Sequence, residues 1–260
     1  MATPPGDHRE PEEALEEGTL MSHLIELRTR LLRSVASVLV VFLCLAPFAG
    51  RIFTLVAKPL MNQLPPGSKM IATEVASPFI TPFKTTFFVA LFLAMPVVIY
   101  QSWAFVAPGL YRKEKRFAVP LLLSSVILFY IGVSFAYFLV FPTVFRFFAT
   151  TTPEGVTMMT DINSYLDFTL LTCFSFGAAF EVPVATVLLI GTGLISADTL
   201  SKQRPYVFLG SFIVGAILTP PDVLSQIMLA IPMYLLFEGG LVMARVMYPV
   251  AAKVADKSTA

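Results

Sequence analysis

The chain has 260 residues, of which 56% are hydrophobic and only 13% are charged, and its mean hydropathy is +0.78. Soluble globular domains do not reach these values, because the apolar residues occur in long uncharged runs that a core of this size cannot bury. The net charge of +1 gives no bulk field that would attract nucleic acid. Composition therefore predicts a membrane protein without a nucleic-acid partner.

The chain begins with an acidic segment that lacks the basic start of a secretory signal peptide. Many carboxylates and few apolar residues are typical of disorder. We expect residues 1–19 to be a disordered cytoplasmic tail, residues 20–247 to be a transmembrane domain, and residues 248–260 to be a second cytoplasmic tail.

Six apolar runs are long enough, or nearly so, to cross a bilayer, which takes about 20 helical residues. The runs are residues 34–50, 85–107, 117–145, 168–197, 205–221 and 223–237. The last two are short, and the Pro220-Pro221-Asp222 break between them indicates a hairpin. The sequence therefore predicts an all-α polytopic membrane protein with six spans.

Prolines within or near the ends of these runs predict bent helices, because each interior proline removes a backbone donor. They are Pro47, Pro96, Pro120, Pro142, Pro183 and Pro232. Neighbouring helices can satisfy the freed carbonyls in a tight bundle, or the bent helices can form a concave one. The sequence leaves both forms open.

The distribution of Lys and Arg predicts the orientation of the spans. Thirteen basic residues flank the side that carries both termini and the loop around Arg112, whereas five lie on the other side. Both termini of this multi-pass protein are therefore predicted to be cytoplasmic.

Two carboxylates on the predicted cytoplasmic side are candidate binding groups. Glu26 lies beside the apolar stripe of an amphipathic segment before the first span, and Glu114 lies among four cations in the next cytoplasmic loop. Two such groups suit guanidinium ligands. Taken alone, however, a local pair of Glu26 with Arg30 and a solvated Glu114 are the favoured explanations.

Three more polar residues lie within or near the apolar runs. Thr219 and Gln226 lie at the periplasmic end of the hairpin. Their side chains can hydrogen-bond either to an incoming helix or within the hairpin itself, and a bond within the hairpin is favoured. Glu181 lies near the middle of the fourth run, where it is either neutral and bonded to a carbonyl freed by Pro183 or turned toward water or a partner helix.

Several segments together resemble TatC, the core receptor subunit of the twin-arginine protein translocase. They are HLIELR at 23–28, APGLY at 107–111 with Glu114 after it, FEVP at 180–183, RPY at 204–206 and LTPPD at 218–222. The resemblance extends from about Leu20 to about Arg245. It implies transport of folded proteins across the cytoplasmic membrane, driven by the proton-motive force, with the single-span subunits TatA and TatB, twin-arginine signal peptides and further copies as partners.

The resemblance also assigns roles to residues, and it reverses the preference stated above for Glu26 and Glu114. It implies a signal-peptide site formed by Glu26, Glu114, Phe105, Leu110, Arg116 and Arg28. Glu181 becomes an intramembrane functional residue, and Asp222 joins Thr219 and Gln226 at the partner-docking hairpin. Pro59 and Tyr137 match further characteristic positions.

The alternative function is a proton-coupled secondary transporter of a small solute, with Glu181 as a proton relay. The six spans show no evident inverted repeat. Only one ionisable residue is centred in the membrane, which is a poor basis for coupling a proton flux to a solute flux. An intramembrane enzyme lacks any nucleophile–base or metal-ligand set in the sequence. We therefore expect no catalytic residue, no metal and no cofactor.

Overall fold

A computed structural model describes residues 11–61, 70–106, 115–151, 159–193, 195–218 and 223–248. Within these ranges the chain forms ten α-helices and no β-strand. The helices are α1 Pro11–Leu45, α2 Ala49–Met61, α3 Ser77–Val106, α4 Lys115–Phe135, α5 Phe141–Thr151, α6 Ile162–Ala179, α7 Val182–Gly191, α8 Ala197–Lys202, α9 Arg204–Leu218 and α10 Val223–Met247.

These helices supply the six predicted spans, numbered first to sixth in chain order. Five segments are long and apolar enough to cross a membrane, and a sixth, Arg204–Ile217, is apolar but shorter. The five longer ones are Leu24–Lys58, Ser77–Phe105, Val119–Phe148, Ile162–Gly191 and Val223–Met247. The predicted all-α, six-span architecture is confirmed, including the shortness of the fifth span.

The sixth span is longer than the sequence predicts. Its uncharged run ends at Glu238, yet α10 continues to Met247. The Glu238 carboxylate pairs with the Arg204 guanidinium at 2.7 Å and accepts a hydrogen bond from the Tyr234 hydroxyl at 3.0 Å. Glu is a good helix former, and its pairing with Arg204 reduces the cost of placing its charge inside the span, so the helix continues beyond the uncharged run.

The amino-terminal segment also differs from expectation. Helix α1 begins at Pro11, so residues 11–19, which were predicted to be disordered, are helical and continuous with the first span. Residues 1–10 of the predicted tail, and residues 249–260 of the second tail, lie outside the described residues.

Three of the spans are interrupted near prolines. A 3₁₀ segment, Ala46–Phe48, contains Pro47, and a π-helical segment, Ala136–Val140, ends just before Pro142. In the fourth span α6 ends at Ala179 and α7 begins at Val182, one residue before Pro183. Pro96 and Pro232 lie inside continuous helices. Three of the predicted bends thus coincide with interruptions of the α-helix, and the concave shape stays a prediction.

The fourth span forms the centre of the protein, whereas the first lies at its edge. In the most apolar stretch of the fourth span 61% of the residues are buried, compared with 6% in the most apolar stretch of the first span. Close approach of the third and fourth spans depends on Gly132, where a Cβ would lie 2.5 Å from the carbonyl oxygen of Phe176. Gly240 has the same role between α10 and α7, because a Cβ there would lie 2.6 Å from the Cα of Pro183.

On the predicted periplasmic side, Asp161 ties two loops together. It caps α6 by accepting hydrogen bonds from the backbone N–H groups of Asn163 and Ser164, both at 3.1 Å. It also accepts one from the N–H of Thr73, and its backbone forms a parallel bridge with Ile71. The hydrogen bonds from Ser164, and after them those from Thr73, lower the pKa of Asp161 from 3.8 to about 2. The cap therefore stabilises the fold above pH about 4 and is lost as the pH falls toward 2.

Candidate functional site

The first candidate site lies where the first and second spans meet on the predicted cytoplasmic side. Glu26 and Arg30 are one helical turn apart on α1, and the Arg30 Nε and Nη2 atoms donate to Glu26 Oε1 at 2.9 and 2.5 Å. The local pair considered from the sequence is therefore present. Arg30 Nη1 also approaches Oε1 of Gln101, on α3, at 3.5 Å.

A groove of about 190 Å³ runs beside this pair. The residues that line it are Leu27, Arg30, Leu31, Ser34, Val98, Gln101, Ser102 and Phe105. Glu26 is 40% exposed and Arg30 22% exposed, so an incoming ligand can reach the carboxylate. Arg28 is exposed to solvent. The structure thus places Phe105 and Arg30, the residue that pairs with Glu26, on the same groove.

The remaining predicted site residues lie partly outside the described chain. Those outside it are Glu114, Leu110, Thr219 and Asp222. Arg116 lies in the first turn of α4 and Pro59 near the end of α2. Tyr137 lies in the π-helical segment, and its hydroxyl donates to the backbone carbonyl of Leu55 at 3.4 Å. It therefore contacts the same helix, α2, that contains Pro59.

The second candidate site is centred on Glu181, at the break between α6 and α7. The Ser125 hydroxyl, on α4, donates a short hydrogen bond to Glu181 Oε2, and the Trp103 indole N–H donates to Ser125 Oγ at 3.3 Å. Glu181 Oε1 is buried and has no hydrogen-bond partner among the described residues. The polar partner of Glu181 is thus a side chain of a neighbouring span, and not a carbonyl freed by Pro183.

The fifth and sixth spans form the third candidate site. Gln226 Nε2 donates to the backbone carbonyl of Phe212 at 3.0 Å, so the favoured bond within the hairpin is the one observed. The outer face of α9 carries four large exposed side chains in a single stripe, Tyr206, Leu209, Ile213 and Ile217. A short helix with a bare apolar face can pack against lipid or another helix.

Sequence reasoning missed three of these partners. Ser125 and Trp103 lie inside or beside uncharged runs, and no spacing rule connects them with Glu181, which is 56 residues from Ser125. Gln101 is a lone amide in an apolar run, which is a usable signal, because a buried amide is expected to find a hydrogen-bonding partner. The structure does bury it, with 8% of its surface exposed.

Comparison with known proteins relates the chain to one family. Residues 22–232 match the family described as Sec-independent protein translocase protein (TatC). A protein of that name from Azotobacter chroococcum mcd 1 is 61% identical over 221 residues, which cover 85% of this chain and 87% of the relative. The protein of the same name from Escherichia coli (strain K12) is 59% identical over 226 residues, covering 87% and 88%.

A solved structure has the same architecture. It is described as the crystal structure of the twin-arginine translocase receptor TatC, and it is 34% identical, with a TM-score of 0.76. The similarity covers 86% of this chain and 98% of that one.

Proposed function

This chain belongs to the TatC family of Sec-independent protein translocase proteins, and we propose that it is the subunit that recognises twin-arginine signal peptides. The family assignment establishes protein transport as its function. It decides against the small-solute transporter that the sequence left open. The proposal concerns which residues bind the signal peptide and with which partners they act.

The pairing of Glu26 is the observation that carries the proposal. Its carboxylate already holds a guanidinium group at 2.5 to 2.9 Å while remaining 40% exposed. Carboxylates bind guanidinium groups through charge-assisted hydrogen bonds, whose directionality favours Arg over Lys. The position of Glu26 beside an apolar groove that includes Phe105 supports a site for a basic, partly apolar peptide. Glu114 is proposed as the second carboxylate, with Arg28, Leu110 and Arg116 as its neighbours.

Substitution of the two carboxylates tests the site. We expect Glu26→Gln and Glu114→Gln each to weaken binding of a labelled signal peptide, because a charge-assisted hydrogen bond is worth about 1.5–3 kcal/mol. The loss should be on the order of tenfold or more. Binding is measured on membranes that contain the full chain and its partner subunits. Lys115→Ala, the charge-changing control, should have the smaller effect, and unchanged binding by the double carboxylate variant would exclude the site.

The remaining parts of the proposal are the partners, the energy source and the location. The single-span subunits TatA and TatB are proposed to dock at the fifth and sixth spans, near Gln226, Thr219 and Asp222, and several copies to assemble together. Transport of folded cargo is proposed to use the proton-motive force. The protein is proposed to lie in the bacterial inner membrane with both termini in the cytoplasm. It is also proposed to act as a translocase subunit and not as an enzyme.

A further inference from the structure

The contacts of Arg30 point to a role for this residue that goes beyond helix stabilisation. Its guanidinium group occupies Glu26 Oε1, the group that the signal peptide is proposed to use. We propose that Arg30 is an internal guanidinium that holds the Glu26 site until an arginine of the ligand displaces it, and that it thereby lowers the affinity of the site for every cationic ligand. This inference rests on the proposed function.

Gln101 gives the displaced guanidinium a second position. Its side chain is buried on α3, and its carbonyl oxygen lies 3.5 Å from Arg30 Nη1. That distance exceeds the 2.7–3.2 Å of a good N–H to oxygen hydrogen bond. A buried acceptor with a long bond gains from a closer donor. Movement of Arg30 toward Gln101 would therefore shorten this bond while it frees Glu26.

The groove provides room for this movement. Arg30 and Gln101 both line its volume of about 190 Å³, together with the aliphatic side chains of Leu27, Leu31 and Val98. These side chains offer an apolar surface for the stem of an arginine while its head group bonds to Gln101. Arg30 therefore has two positions within reach, one on Glu26 and one on Gln101, without any change in the backbone.

Displacement replaces one guanidinium group by another. A ligand arginine offers Glu26 the same planar fork as Arg30, whereas a lysine offers a single strongly hydrated ammonium group. The preference for arginine therefore belongs to Glu26 itself. The free energy of removing Arg30 is the same for either ligand, so the internal guanidinium lowers both affinities by the same factor.

The test compares Arg30→Gln with Arg33→Gln, which removes the same charge from an exposed position one turn further along α1. Arg30→Gln should raise the affinity for a labelled twin-arginine peptide about two- to fivefold beyond the change caused by Arg33→Gln, the range expected for loss of one partly exposed ion pair. It should raise the affinity for a peptide with two lysines by the same factor, because the cost of removing Arg30 does not depend on the ligand. Equal effects of the two substitutions would overturn the inference.

A double-mutant cycle with Gln101→Met separates exchange from simple packing. In the chain that retains Arg30, Gln101→Met should weaken peptide binding about two- to fivefold, because the displaced guanidinium loses its acceptor. In the Arg30→Gln background the same change should have no effect. A loss of the same size in both backgrounds would mean that Gln101 only packs, which contradicts the inference.

Glu26→Gln, measured on the same membranes, separates this inference from the proposed function. If Glu26→Gln binds the peptide normally, the proposed site is wrong. If Glu26→Gln loses binding while Arg30→Gln behaves like Arg33→Gln, the site stands and the role of Arg30 is refuted. The amount of each variant in the membrane, and its melting temperature in detergent, exclude misfolding as the cause.

Discussion

At the scale of single residues, Glu181 shows how the fold keeps a carboxylate inside an apolar span. It lies ten residues before the end of α7 at Gly191, which is about 15 Å along a helix and about half the hydrocarbon thickness. An unpartnered carboxylate at this depth is costly. Ser125 supplies the one hydrogen bond observed to it, and Trp103 in turn orients Ser125. Glu181 Oε1 is buried and has no hydrogen-bond partner among the described residues.

We therefore expect Ser125→Ala to destabilise the protein by about 1–3 kcal/mol, because it leaves the Trp103 N–H and the Glu181 carboxylate without their shared partner. Export of a folded cargo should fall while signal-peptide binding stays nearly intact. Thermal unfolding in detergent and an export assay measure the two effects. Ser124→Ala is the matched control, since its hydroxyl donates to the Leu121 carbonyl of its own helix and bonds no other span among the described residues. Equal behaviour of the two alanine variants would contradict the role of Ser125.

Substitution of Glu181 itself distinguishes hydrogen bonding from proton transfer. Glu181→Gln keeps an acceptor for Ser125 and should be milder in export than Glu181→Ala. An obligatory proton relay would make the two equally damaging. Full export by Glu181→Ala would remove any functional role for the residue.

The residue scale is also where prediction from sequence reached least far. The type and position of Glu26 and Glu181 marked them as candidates, and the TatC resemblance assigned them roles. Their partners depend on how spans pack together. Ser125 meets Glu181 across 56 residues and Gln101 meets Arg30 across 71, and only the packing of different helices brings such groups within bonding distance.

At the scale of elements, the number of spans followed from the apolar runs, whereas the ends of their helices did not. An uncharged run ends at the first charge, but a helix can continue through a charged residue, because Glu, Lys and Arg are good helix formers. Glu238 ends an uncharged run but lies inside α10, where Arg204 and Tyr234 bind it. The break in the fourth span was predictable, since Pro183 cannot donate to the carbonyl of Ala179.

The short helix α9, which forms the fifth span, is the element proposed to bind a partner. Its 15 residues rise about 22 Å, less than the hydrocarbon thickness of about 30 Å. The sixth span, at 25 residues, has no such deficit. A single-span partner that packs on α9 would shield the mismatch and cover the exposed stripe that contains Ile213 and Ile217.

Cysteine cross-linking tests this docking surface. In a chain whose Cys44 and Cys173 are replaced by alanine, Ile213→Cys and Ile217→Cys should cross-link to a cysteine in the span of TatA or TatB. Ser211→Cys, on the same helix but only 1% exposed, should not. Adding one turn to α9 should impair transport without preventing membrane insertion. Equal cross-linking at all three positions, or normal transport by the lengthened form, would contradict docking driven by mismatch.

At the scale of the whole molecule, two long-range contacts fix which loops share a side. On one side the Arg245 guanidinium pairs with Asp198 at 3.4 Å, so the connection between the fourth and fifth spans lies beside the end of the sixth. On the other, the bridge between Ile71 and Asp161 joins the segments that precede the second and fourth spans. These contacts group the loops as the basic-residue count does, although they do not depend on charge near a membrane.

The predicted orientation can therefore be tested as a single pattern. Reporters fused after Asp198 and after Lys257 should both be cytoplasmic, and reporters fused after Lys69 or Glu154 should both be periplasmic, because the basic residues favour the side of Asp198 by 13 to 5. Alkaline phosphatase, which is active only in the periplasm, and a fluorescent protein that matures in the cytoplasm give opposite readouts at each position. If the four results are all inverted, the six-span fold stands and the orientation is wrong. If Asp198 and Lys257 report opposite sides, one of the last two spans does not cross the membrane, which would refute the architecture from which the binding and docking proposals are drawn.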